Sequence, residues 1–166
     1  MSRVMVLACL AVLAAVGCSR KAPLPVAPVT SGAEMRSLVG YDLSRLAGNW
    51  QQVGVIRADG GACERGRLAI AKSPSGLSFD GALCRDGGLR QVSGPVQVVG
   101  PGRILVAGEA EPWWLVWADY DARTMILAPP SKRFAVVLDR GRISPDRMKA
   151  AREMLAFNGF DASRLR

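Results

Sequence analysis

The chain has 166 residues and a mass of 17.7 kDa, enough for one domain with its own core but not for two of ordinary size. Lys and Arg number 22 against 14 Asp and Glu, a formal charge of +8, and 49% of the residues are apolar. Histidine is absent and the four cysteines, at positions 9, 18, 63 and 84, form no CxxC pair. That excludes His-assisted nucleophiles and histidine-bound zinc; no metal, cofactor or catalytic residue is expected.

Arg3 precedes an unbroken apolar stretch over 4–17 that runs into Cys18. As a helix it is about 21 Å long, short of the ~30 Å hydrocarbon core of a bilayer, so it reads as a signal peptide and not a span. The segment resembles a bacterial lipoprotein signal: Ala15, Val16 and Gly17 lead into the cysteine, with Ala15 where the family usually has Leu. The resemblance implies cleavage before Cys18, lipid attachment to it, and outer-membrane sorting, because Ser19 stands where an Asp favours inner-membrane retention. Two acyl attachments supply the second signal that stable anchoring needs.

Without residues 1–17 the mature chain keeps 149 residues. Cys63 and Cys84 are then the free pair in an oxidising compartment, and one disulfide between them is expected. Closing that loop contributes roughly 3 kcal/mol in the chain-entropy description. Residues 18–40, with Pro23, Pro25 and Pro28, read as the lipidated N-terminus and a tether, and 41–166 as the folded domain.

From Tyr41 onward, short apolar runs alternate with Gly, Pro and Asp. Strands are expected near 49–57, 64–72, 76–84, 89–98, 102–108, 112–119, 123–128 and 133–139. Connections this short make neighbours antiparallel, and eight strands invite closure into a barrel, which hides every edge. Gly94-Pro95 suggests a bulge or break in the fourth strand. Ser144, Pro145 and Asp146 then read as N-cap, first helical residue and first-turn acid of a helix that stops at Asn158-Gly159. Its stripe of Met148, Ala151, Met154 and Leu155 is expected to pack outside the barrel.

On these residues the chain resembles the lipocalins, and especially the bacterial outer-membrane lipoprotein lipocalins. Gly48-Asn49-Trp50 matches the family's G-x-W at the start of the first strand. Asp119-Tyr120 matches its Thr-Asp-Tyr turn, with Ala118 replacing the threonine. Arg140 stands where the family has an arginine after its last strand, and the helix follows in the expected order. The resemblance implies an all-β fold, an eight-stranded antiparallel up-and-down barrel with a C-terminal amphipathic helix packed outside. Gly48, Trp50, Asp119, Tyr120 and Arg140 would then shape its closed end. An arginine over Trp50 can donate to nearby carbonyls, and Asp119 can accept backbone N–H groups in its turn.

The bacterial relatives are thought to carry fatty acids or lysophospholipids, so the walls are where ligand contacts are sought. If Trp50 points inward, a period of two places Gln52, Gly54 and Ile56 on the same face. Further candidate linings are Leu77, Phe79 and Leu83; Trp113, Leu115 and Trp117; and Phe134, Val136 and Leu138. The opposite parity, Trp114 and Val116, stays open in a sheet that bulges. Short, glycine-rich loops predict a shallow cup with a small or collapsed cavity.

Two functions follow from this reading. One is a membrane-anchored carrier of a small amphiphile whose head group meets arginines such as 57, 65 and 67. The other is a non-enzymatic envelope structural or interaction lipoprotein with a filled barrel. The basic excess suits an anionic envelope surface, and no nucleic-acid motif accompanies it.

Overall fold

The computed structural model describes residues 34–59 and 63–166, so the signal stretch, Cys18, the expected tether up to residue 33 and residues 60–62 lie outside the described residues. A short 3-10 helix at Leu43–Leu46 leads into eight strands: β1 (Gly48–Arg57), β2 (Arg67–Ser73), β3 (Gly76–Arg85), β4 (Gly88–Gly100), β5 (Arg103–Val106), β6 (Trp113–Ala118), β7 (Thr124–Ala128) and β8 (Phe134–Asp139). Each pairs antiparallel with the next, and β8 returns to β1, closing an up-and-down barrel. Helix α1 (Pro145–Phe157) packs outside, with Ser144 accepting the Arg147 N–H at its N-terminus.

Two hydrophobic clusters share these strands. The inner one fills the barrel and includes Trp50, Leu68, Phe79, Trp113, Phe134 and Val136. The outer one lies beneath α1 and the C-terminal tail, joining Val116, Ile126, Val137, Ala151, Leu155 and Phe160. Met148 and Met154 of the α1 stripe pack against its edge.

Two bulges decide which side chains serve which cluster. The β1–β8 register shifts between Gln52 and Gly54, and the β6–β7 register shifts between Leu115 and Trp117. One extra residue in a strand reverses the facing of everything after it. Ile56 and Trp117, expected on the inner wall, therefore belong to the outer cluster, while Val55 packs against the inner one. Gly54 is turned outward as well, since a Cβ there would meet Leu165 Cδ1 of the C-terminal tail at 3.0 Å.

The Gly94-Pro95 step does not break β4. Its pairing with β3 runs unshifted from Gly88 to Val96, and the irregularity falls between Val98 and Gly100 on the β5 side. The domain also starts before Tyr41. Met35 is buried in the outer cluster, the Leu38 N–H donates to the Leu115 carbonyl at 2.7 Å, and Ser37 Oγ donates to the Pro101 carbonyl at 2.9 Å. Residues 34–40 thus cover the place where β6 runs past the short β5.

Candidate functional site

The closed end is built around Trp50. The Arg140 guanidinium lies 4.3 Å from the ring centre and donates to the carbonyls of Arg45, Ala47 and Ala122. The indole N–H donates to the Leu46 carbonyl at 2.7 Å. Gly48 has φ +130°, and a Cβ there would run into Arg140 Nη1, so a side chain is excluded on both counts. In the β6–β7 turn, Asp119 accepts the N–H groups of Arg123 and Thr124 at 2.6 and 2.9 Å. Tyr120 beside it projects into solvent, and its carbonyl accepts from Arg45.

Inside the barrel, Trp113, Leu115, Met125, Phe134, Val136 and Leu138 expose none of their surface, so no void wide enough for a water abuts them. The Trp113 and Phe134 rings meet edge to face at 5.4 Å, and Phe79 lies 6.5 Å from Trp113. Leu77 and Leu83 complete this wall. Gln52 also points inward and works as a cross-link. Its Nε2 donates to the Cys84 carbonyl, and its Oε1 accepts from the N–H groups of Gly66 and Cys84. The Cys63–Cys84 disulfide ties the same corner, with its Cα atoms 5.8 Å apart.

The mouth is capped by charge. Arg85 is buried with its guanidinium 5.4 Å from the Trp113 ring centre, and it grips Glu109 through two bonds of 2.7 and 3.1 Å. Arg133 reaches Asp86 at 2.6 Å and Glu111 at 2.8 Å, and Arg57 pairs with Asp59. Alternation on β3 carries on from Leu77, Phe79 and Leu83 to Arg85, so its inward facing is legible in the sequence. Glu109 and Glu111, on an irregular loop, left no such signal.

A recess that touches the inner cluster lies at the other end. A cleft of about 340 Å³ opens beside the 3-10 helix, between Leu43, Leu77, Val96 and Val98, with Lys72, Ser44 and Ser73 at its rim. Leu77 and Val96 are inner-wall residues that keep a little exposure there. Of its walls the sequence marked only Leu77 as a candidate lining, because the others come from separate segments that the fold alone brings together.

No family model and no curated protein matches the sequence. Solved structures do match in shape. The allergen Per a 4 from cockroaches aligns with a TM-score of 0.62 at 13% identity, over 80% of this chain and 91% of that one. Insecticyanin from the tobacco hornworm gives 0.58 at 14%, over 80% and 82%. The siderocalin Ex-FABP gives 0.57 at 14%, over 73% and 91%. These are lipocalins, and the fold of this chain is the lipocalin fold. At such identity the likeness concerns the fold alone.

Proposed function

We propose that the chain is a non-enzymatic binding protein of the bacterial outer membrane, anchored through lipid on Cys18. Its ligand is a small amphiphile with one acyl chain, such as a fatty acid or a lysophospholipid. The binding place is the cleft beside the 3-10 helix and not a deep cup. The observation that carries this reading is the pairing of an apolar floor, Leu43, Leu77, Val96 and Val98, with Lys72 at the rim. A cleft of about 340 Å³ lies at the small end of the ~300–1,000 Å³ range of ligand sites. The chain would lie along the floor, each enclosed CH₂ contributing about 0.8 kcal/mol, and the anionic head would meet the ammonium. Ex-FABP functions through dual ligand specificities, and the shared fold supports a binding role here.

A second reading has its own observation: the filled barrel and the Arg85–Glu109 cap suit an envelope protein that works by contact through its outer face. Native mass spectrometry of gently extracted protein decides between them, and the same mass reports the lipid on Cys18. Under the first reading, one palmitate or lysophospholipid binds per chain, is lost in Lys72→Glu with Leu77→Asn, and is kept in Phe79→Leu. A folded wild-type chain that is empty and refuses both lipids overturns it in favour of the second.

A further inference from the structure

The Cys63–Cys84 disulfide joins two sulfurs in unlike surroundings. Cys84 is 1% exposed, and Gln52 bonds both its N–H and its carbonyl, so burial closes the approach to that sulfur from solvent. Cys63 is partly exposed, and the Arg57 guanidinium donates to its sulfur from Nη1 at 3.4 Å. Arg57 is itself buried, with Nη2 held by Asp59. A disulfide sulfur is uncharged and a weak acceptor, so this contact gains little until Cys63 becomes a thiolate.

We propose that Cys63 is the exchange sulfur of this protein, through which a thiol–disulfide partner opens and closes the bond, and that Arg57 positions it and favours its thiolate. In opening, a partner thiolate attacks Cys63 Sγ, the S–S bond breaks, and its electron pair leaves on Cys84, which takes up a proton. The partner then sits on Cys63 as a mixed disulfide. A second partner thiol attacks the partner sulfur of that bond and releases the Cys63 thiolate, so two electrons have passed to the protein. Closing runs in reverse: the Cys63 thiolate attacks a partner disulfide and expels one partner thiolate, and the Cys84 thiolate then attacks Cys63 Sγ and expels the other.

The surrounding groups allow this. Gln52 bonds the backbone of Cys84 and Gly66, which reduction leaves untouched, so the corner keeps a tie when the disulfide opens. Asp59 is held on the same guanidinium and Glu64 is exposed, while Arg85 and Asp86 beyond Cys84 are paired with Glu109 and Arg133. The charged group bonded to the Cys63 sulfur is the guanidinium, and a cation in that place favours both an incoming thiolate and the Cys63 thiolate itself.

The test uses the full mature chain, gently extracted, with each cysteine read by peptide mapping, so that Cys18 does not enter whether or not it carries lipid. The oxidised protein is held with glutathione under native conditions and the adducts are trapped with acid. Glutathione is expected on Cys63 in about tenfold or greater excess over Cys84. An adduct spread over both cysteines, or none after a day, overturns the proposal. The reduced protein then gives the part of Arg57. At pH 6 iodoacetamide should alkylate Cys63 about fivefold or more faster in the wild type than in Arg57→Gln, with the two rates converging above pH 9, where both thiols are ionised. Arg57→Lys keeps a cation and should follow the wild type. Equal rates at pH 6 in the wild type and the glutamine variant, or a lysine variant as slow as glutamine, overturn the part given to Arg57. Tryptophan emission checks that each reduced chain is folded. Should Arg57→Gln unfold, the wild-type rate at pH 6 against that of a free cysteine peptide makes the same comparison.

Discussion

Gln52 and Cys84, 32 residues apart, are joined as if by a strand pair: one side-chain amide donates to the carbonyl and accepts from the N–H of the same cysteine. The oxygen also takes the Gly66 N–H, so three backbone groups at a buried corner depend on one residue. Gln52→Leu keeps the volume and removes all three bonds. The expected loss is about 3 kcal/mol or more, since each orphaned buried group costs about 1–3 kcal/mol. A urea midpoint shift with an unchanged slope would check it. A loss below 1 kcal/mol, on the scale of a single ordinary hydrogen bond, would mean that water takes the place of the amide.

Arg140 is a second single-residue support. Arg140→Ala gives up three carbonyl bonds and the stacking on Trp50, and is expected to cost about 2–4 kcal/mol. Lysine would restore only part of this, because one ammonium cannot reproduce the planar fork. Urea melts of both variants, followed by tryptophan emission, give the comparison. Full rescue by lysine would reduce the role of Arg140 to its charge.

The cap on the mouth gives a test of sign. Glu109→Leu alone leaves the buried Arg85 charge with only the longer 3.6 Å contact to Asp86, and is expected to destabilise by about 3 kcal/mol. Arg85→Met with Glu109→Leu replaces the pair by apolar groups and should lie near wild type or above it. A double variant as unstable as the single would show that Arg85 is held mainly by its rings and the Gln91 carbonyl.

At high pH the closed end should weaken through Tyr41. Its phenol is pushed above 10.0, chiefly by burial, with Asp119 and Asp42 adding to the rise and Arg45 and Arg140 opposing it. The folded state therefore holds the proton more tightly than the unfolded chain. This contribution is complete below pH 10, and it falls away as pH rises from there through the folded value. Tyr41→Phe removes the titration, so stability curves of the two proteins should converge between neutral pH and pH 9 in slope and part above it. Identical alkaline slopes would contradict this.

Much of the architecture was legible in the residues themselves. Gly-Asp-Pro punctuation marked eight strands within a few residues, and Ser144-Pro145 with Asn158-Gly159 bounded the helix. The disulfide followed from the count of free cysteines. Facing was legible only up to the bulges. Val53 and Val116 are ordinary strand residues, so nothing in their chemistry announced that Ile56 and Trp117 would turn outward. The cleft was legible only at Leu77, for another reason: Leu43, Val96 and Val98 are each unexceptional, and only the barrel's closure brings them to it.

The same two bulges bind the helix to the barrel's fate. Because β1 and β6 each send side chains to both clusters, on either side of their bulges, loosening either strand disturbs both. A helix laid on a finished barrel could fray by itself, and its amides would exchange with solvent long before those of the sheet. Here the slowest amides of α1 and those of β1 and β6 should open together, as one cooperative unit.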